Sequence, residues 1–325
     1  MANKPAAKAA IKKNGVVVVG SLNMDLAVKT ETIPAPGQTV MGRGLAETPG
    51  GKGANQAAAA GRLAPKGKPA CRMIGRVGDD IFGRRLVAEL ASARVDTDSV
   101  LVTKKVPTGV ALIVIDRHGE NSIVVAGGAN QCLTIPDLLA NRAAIDKSSV
   151  LIVQLEIPFE TVACAIALAK RAAAIAILDP SPVPPEGLPE SLFHVDILTP
   201  NQIETQALTG ITIRTVEDAK RAGAQFLARG TQTAVIKLGP QGAVVVTRNA
   251  GVIASHHVPG FKVQVVDTTA AGDAFNGALA VGLAEWMPLL EAVRFANAAG
   301  ALACTKQGAQ ASMATRAEVD ALFKK

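Results

Sequence analysis

The chain has 325 residues, 49% of them apolar, with a mean hydropathy of +0.27. That is about twice the ~150 residues of one ordinary domain and enough to bury roughly 75% of the unfolded surface without staples, which excludes a disordered chain. The net charge is +7, yet only 3% of residues are aromatic, with no tyrosine and one tryptophan, so the stacking platforms and basic stripe of a nucleic-acid binder are missing.

Residues 1–14 hold Lys4, Lys8, Lys12 and Lys13 with no acid among them and read as a disordered basic head. Without Arg, Ser or an apolar core, this head makes a poor targeting peptide. Residues 15–325 read as one α/β domain. Strands are expected at 16–20, 72–77, 110–116, 122–126, 150–156, 175–179, 196–199, 233–238 and 243–247. Helices are expected at 53–64, 81–93, 136–145, 158–172, 201–209, 215–229, 273–285, 289–305 and 315–323. Runs such as Val150–Val153 are apolar on both faces, as strands covered by helices on both sides should be. This alternation predicts a doubly wound, mostly parallel sheet flanked by helices, with ligands at the carboxyl ends of its strands. Segments 24–49 and 107–128 do not fit that rhythm. The first holds Pro34, Pro36 and Pro49, and the second reads as a hairpin turning at Asp116–Gly119. Together they predict a small β-sheet lid.

Cys71, Cys132, Cys164 and Cys304 show no CxxC and no metal spacing, so reduced, mostly buried thiols of an intracellular protein are expected. Lys170, Arg171, Glu285, Glu291 and Arg294 interrupt the longest apolar stretches, so no membrane span is expected. His118, His194, His256 and His257 lie in ordinary surface contexts.

Five constellations stand out, each beside a plainer reading. Gly20-Ser21-Leu22-Asn23-Met24-Asp25 follows the first strand, which places Asn23 and Asp25 in the loop at its carboxyl end, able to grip neighbouring hydroxyls or simply to form an Asx turn. Pro49-Gly50-Gly51-Lys52-Gly53-Ala54-Asn55-Gln56 opens a helix but has neither P-loop nor dinucleotide spacing. Lys52 at a helix N-terminus opposes the dipole by about 0.3–1 kcal/mol, which points to an anionic or hydroxyl-rich ligand or to plain solvent exposure. Thr199-Pro200-Asn201-Gln202-Ile203-Glu204 is a capping box by spacing. Lys237-Leu238-Gly239-Pro240-Gln241-Gly242 is a tight turn, either a simple hairpin or a flat floor for a nucleotide.

The fifth carries the most chemistry. In Asp267-Thr268-Thr269-Ala270-Ala271-Gly272-Asp273, small residues run into a helix start whose free N–H groups form an anion hole. Asp273 sits in the first turn, as a common capping carboxylate would. A carboxylate beside such a hole also supplies a base for an attacking hydroxyl and donors for developing charge, the equipment of phosphoryl transfer.

In this order the motifs resemble the ribokinase-like family of carbohydrate kinases, from about Val16 to Phe323. Gly50–Gln56 looks like the family's amino-terminal signature and Asp267–Asp273 like its carboxy-terminal one. Gly20–Asp25, Gln154-Leu155-Glu156, Thr199-Pro200-Asn201 and Lys306-Gln307-Gly308-Ala309-Gln310 bring the chain nearest to members acting on D-ribose. The resemblance implies ATP-dependent phosphorylation of D-ribose at its 5-hydroxyl, by a cytoplasmic homodimer paired through the lid. Asn23, Asp25, Gly51, Lys52, Asn55 and Glu156 would hold the sugar together with Asp273, the general base. The backbone N–H groups of Ala271, Gly272 and Asp273 would form the anion hole, with Ala270 counted among the catalytic residues. Asn201, Lys237, Gly239, Gly242, Gly272 and Asn297 would line the ATP site, and Glu204 would act on Mg²⁺ through water. Asp267, Thr269, Ala303, Lys306, Gly308 and Ser312 would hold an activating K⁺. Two departures fall at the nucleotide: the family more often has a hydroxyl residue where Lys237 stands, and often differs at Asn297. The residues alone also accommodate a same-fold kinase for a nucleoside or another sugar, or a non-catalytic sugar-binding protein.

Overall fold

The computed structural model of the chain describes residues 15–64, 71–249 and 251–324; the basic head lies outside them. Four consecutive valines form strand β1 (Val16–Val19), and all four are buried. Successive side chains on a strand serve opposite faces, so Val16 and Val18 join one core while Val17 and Val19 join another.

The chain next builds β2 (Asn23–Lys29) and β3 (Arg43–Gly50), an antiparallel pair, and enters helix α1 (Lys52–Leu63). Strand β4 (Cys71–Gly78), helix α2 (Ile81–Ser92) and strand β5 (Val95–Thr103) follow. Then β6 (Gly109–Ile115) and β7 (Asn121–Ala126) form a hairpin. Helices α3 (Ile135–Ala140) and α4 (Arg142–Lys147) lead to β8 (Val150–Val153), α5 (Phe159–Arg171) and β9 (Ile175–Leu178). The short β10 (Ile197–Leu198) precedes α6 (Gln202–Thr209), α7 (Val216–Ala228) and β11 (Thr233–Lys237). Strands β12 (Ala243–Asn249) and β13 (Val252–Val258) then give way to α8 (Ala271–Ala284), α9 (Leu289–Ala303) and α10 (Arg316–Phe323).

Nine strands form one sheet in the order β13-β12-β11-β10-β9-β8-β1-β4-β5. It is parallel from β11 to β5, with β12 and β13 antiparallel at one edge. Helices α1, α2, α8, α9 and α10 cover one face, and α3, α4, α5 and α7 the other. The doubly wound core is the one the alternation of β-branched and Ala-rich runs predicts. A second sheet, β3-β2-β6-β7, stands apart. Its β2 and β6 are parallel, and all six residues of β7 are exposed.

Helices α1 and α8 meet through small residues. A Cβ on Gly277 would lie 2.7 Å from both Ala59 Cβ and Gln56 O, and one on Gly53 would lie 2.6 Å from Ser21 N. These close approaches fix where the amino ends of both helices fall relative to β1.

Some expectations need correction. Asn23 and Asp25 do not lie in a loop: only Gly20–Leu22 separate β1 from β2, and both residues belong to β2. The helix expected at 136–145 is two, broken at Asn141, whose side-chain amide donates to Asp137 O at 2.9 Å. Strand β8 ends at Val153 rather than 156, so Gln154 and Glu156 turn out of the sheet toward the loops. The sequence reading has no strand at β5 or β13, and both are sheet edges with polar, partly exposed faces. All four cysteines are free, but only Cys71 is buried and the other three are half-buried.

Candidate active site

Gly51 adopts φ +85°, where a Cβ would meet Asn23 N at 2.6 Å, a conformation glycine takes without strain. That turn swings the chain from β3 into α1 and sets Lys52 at the helix start. The Glu156 carboxylate collects donors around it: Ser21 Oγ at 2.5 Å, Lys52 N at 3.2 Å and Asn23 Nδ2 at 3.4 Å, all on Oε2. Asn130 locks Asn23 from behind, donating to its Oδ1 at 2.7 Å and bonding Leu22 N and O. Asp25 lies tight beneath Gly50, whose Cβ would fall 2.2 Å from its carboxylate. Burial, with Glu156 and Asp273 nearby, pushes the Asp25 carboxyl up to about 7.

Asp273 occupies the first turn of α8 and is buried. It accepts from Asn55 Nδ2 and Gln56 Nε2, each at 3.0 Å. Burial raises its carboxyl to about 6; Asp179 adds to the rise, while Lys52 and the two amides oppose it. Lys52 is half-buried, and partial desolvation favours its neutral form, yet the fields of Asp273, Asp179, Glu156 and Glu204 hold it firmly charged. A cation set against a helix dipole is therefore offset by four carboxylates. Asn55 Oδ1 has no partner among the described residues, which leaves one open acceptor beside Asp273.

At the N-terminus of α8, Ala270 takes φ +58° with no side-chain cap. Ala271 N makes a 3.3 Å bond to Thr268 O, so the open donors of the helix end are Gly272 N and Asp273 N. Gly272, with Ala271, borders a cavity of about 560 Å³ whose walls also include Lys237, Gly239, Gly242, Phe275 and Asn297. The Asn297 amide donates to Val258 O and Pro259 O, so it also holds the chain leaving β13. Asn201 and Glu204 are not in the cavity wall. They form the reciprocal capping box of α6, with Glu204 accepting from Asn201 N at 2.7 Å and Nδ2 at 2.9 Å. Burial raises the Glu204 carboxyl; Lys237 opposes this and Asp179 adds to it. The structure bears out the plainer reading, the capping box, and brings neither side chain into the cavity wall.

The sequence reading gave Gln56, Gln154 and Asp179 no site role and Lys237 only a place at the nucleotide, yet these four join the two halves. Gln56 Nε2 donates to Asp273 and also to Asp179 Oδ2 at 2.8 Å, and Lys237 Nζ donates to Asp179 Oδ1 at 3.1 Å. Gln154 Nε2 in turn holds Gln56 Oε1 at 2.6 Å. Asp179, at the carboxyl end of β9, could have been flagged by its place before Pro180 after an apolar strand.

A further oxygen-rich corner lies behind the anion hole. Asp267 Oδ1 accepts from Thr269 N and Oγ1, and Oδ2 accepts from Gly308 N. Partial burial alone would raise the Asp267 carboxyl, but these bonds hold it below its usual range. Ser312 is buried, with its hydroxyl on Ala309 O, and the Lys306 side chain turns away to Glu318. One carboxylate among carbonyls and hydroxyls suits a hard cation of low charge. Among the described residues no group of three His, Cys, Asp or Glu could hold a metal ion, and no helix is long and apolar enough to cross a membrane.

Residues 13–316 match the family model described as pfkB family carbohydrate kinase. A ribokinase of Haemophilus influenzae is 37% identical over 304 residues, covering 93% of this chain and 96% of the relative. The structure of Thermotoga maritima ribokinase superposes with a TM-score of 0.85 at 37% identity, over 96% of this chain and 100% of that one. Arabidopsis thaliana ribokinase, solved with ribose and ATP, gives a TM-score of 0.86 at 32% identity, over 96% and 99%. The chain belongs to the pfkB family of carbohydrate kinases.

Proposed function

We propose that this chain transfers the γ-phosphoryl group of ATP to the 5-hydroxyl of D-ribose, giving ribose 5-phosphate and ADP. The observation that carries the reading is Asp273: a buried carboxylate with its pKa raised to about 6, between a polar cluster fit for hydroxyls and the helix end that borders the cavity. The Arabidopsis relative solved with ribose and ATP names the two ligands such halves would take.

Asn23, Asp25, Gly51, Lys52, Asn55 and Glu156 hold the sugar. The open Asn55 acceptor takes one hydroxyl donor, which removes the cost of an unpaired buried group, about 1–3 kcal/mol. Asp273 accepts the 5-hydroxyl proton as that oxygen bonds the γ-phosphorus and the bond to the ADP oxygen breaks. Gly272 N and Asp273 N receive the charge developing on the phosphoryl oxygens, with Ala270 and Ala271 shaping the hole. Lys237, Gly239, Gly242 and Asn297 line the nucleotide cavity, with Asn201 bracing its edge. Glu204 would hold Mg²⁺ through water, and the ion would supply neutralisation of phosphate charge; a cation of this kind keeps several waters and needs few carboxylates. Asp267, Thr269, Ala303, Lys306, Gly308 and Ser312 would hold K⁺, which would supply stiffening of the loop behind the hole.

The small sheet closes over the sugar and excludes water that would otherwise hydrolyse ATP. Its exposed Leu45, Leu112 and Val124 share one face of the sheet and supply the apolar surface of a homodimer. The enzyme works in the cytoplasm, where ATP and reduced thiols coexist. ADP release measured with Mg-ATP, K⁺ and ribose, fructose, 2-deoxyribose, adenosine or no sugar tests this. Turnover with ribose well above the others is expected. Preference for adenosine or fructose would overturn the sugar assignment, and binding of ribose without turnover would overturn the kinase.

A further inference from the structure

Lys237 and Asp179 make a buried ion pair, their side chains only 12% and 3% exposed. Such a pair is poor evidence of a stability role, because desolvating two charges offsets most of their attraction. Its position is more informative. The Lys237 ammonium projects into the cavity wall, and a Cβ on Gly272 would lie only 3.4 Å from it. It therefore stands at the mouth of the α8 N-terminus, where Gly272 N and Asp273 N are open. Lysine carries its charge on a flexible four-carbon stem with three rotatable donors, so it can change partners without moving the backbone. Asp179 would not be stranded by the change: it keeps the bond from Gln56 and the field of the charged Lys52.

We propose that Lys237 is a transferable counter-ion, held by Asp179 while the nucleotide site is empty and passed to the terminal phosphates of a bound nucleoside triphosphate. This rests on the nucleotide reading of the cavity given above. Asp179 is the positioning residue, because it stores Lys237 in a charged, directed state beside the anion hole. The cost is competition: the carboxylate and the phosphate oxygens contend for one ammonium. Gln56, whose amide nitrogen donates to both Asp179 and Asp273, ties the exchange to the sugar side.

Competition predicts opposite signs for the two partners. Titration calorimetry with the magnesium complex of the β,γ-imido analogue of ATP measures affinity apart from turnover. Lys237→Met should weaken binding about tenfold or more, the worth of a charged hydrogen bond. Asp179→Asn should bind as tightly as the unaltered chain or more tightly, since it frees the lysine. Lys237→Arg should recover most of the affinity. If Asp179→Asn does not fold, the contrast between Lys237→Met and Lys237→Arg decides alone. Equal weakening in Lys237→Met and Asp179→Asn, with matching drops in Tm, would make the pair a structural brace and overturn the proposal. So would unchanged affinity in Lys237→Met. Failure of the unaltered chain to bind the analogue would overturn the nucleotide site itself.

Discussion

Asp273 is held in an environment that favours its chemistry over the stability of the fold. Its carboxyl titrates near 6 in the folded chain against an ordinary 3.8, so the unfolded state gives up this proton first as pH rises. The group therefore contributes most to stability below the unfolded value and loses that contribution as pH climbs through about 6, by roughly 3 kcal/mol at most. Asp273→Asn should accordingly lower kcat by about 10²–10⁴-fold while its Tm at neutral pH stays level or rises. A variant that kept turnover within about tenfold of the parent would remove Asp273 from the base role. Asp25, raised to about 7 by burial and by Glu156 and Asp273, should act on binding. As pH falls below about 7 it gains a proton and loses an acceptor for a sugar hydroxyl, so the KM for ribose should rise. Because Asp25 and Asp273 feel each other, the acid limb of kcat/KM belongs to the pair, with Lys52, Asp179 and Glu156 as the charges facing it. A kcat/KM that stayed flat down to about pH 5 would contradict both assignments.

At the scale of elements, the contact between α1 and α8 brings Asn55 and Gln56 to Asp273. Gly277→Ala would drive a methyl to within 2.7 Å of Ala59 Cβ and Gln56 O. The overpacking should cost about 1–3 kcal/mol, seen as a lower Tm, and should reduce kcat by displacing the Gln56 amide. A variant as stable and active as the parent would show that the helices have slack there. The doubly wound core and both glycine-rich helix starts were legible in the sequence because periodicity and small-residue runs are local signals. So were Lys52, as a cation in an unfavourable place, and Asp273, as a carboxylate at an open helix end. Asp179 and Gln56 were not, since their meaning arises from partners 58 to 217 positions away. Asn23 and Asp25 were found but assigned to a loop, because a three-residue passage from one sheet to another has the same composition as a turn.

At the scale of the molecule, the apolar face of β6 and β7 makes a quantitative demand on assembly. Val124, which shares its face with Leu112 and Leu45, is 62% exposed in the middle of a strand whose six residues are all exposed. If this face joins two copies, Val124→Lys should convert a dimer to a monomer in sedimentation, with weaker ribose binding where the lid loses its support. A monomeric parent would overturn the dimer. Replacing K⁺ with a bulky organic cation at equal ionic strength should lower kcat; equal rates in both would exclude a specific cation at Asp267. The branching of the chain after β1 has one more consequence. Asn23 and Asp25 are carried by the same four-stranded sheet that offers the apolar face, whereas Asp273 and the nucleotide cavity belong to the other sheet and its helices. If that face joins two copies and those residues hold the sugar as proposed, choice of acceptor and choice of subunit partner would be inherited together, and a graft of that sheet from a relative would transplant both while leaving the proposed nucleotide half in place.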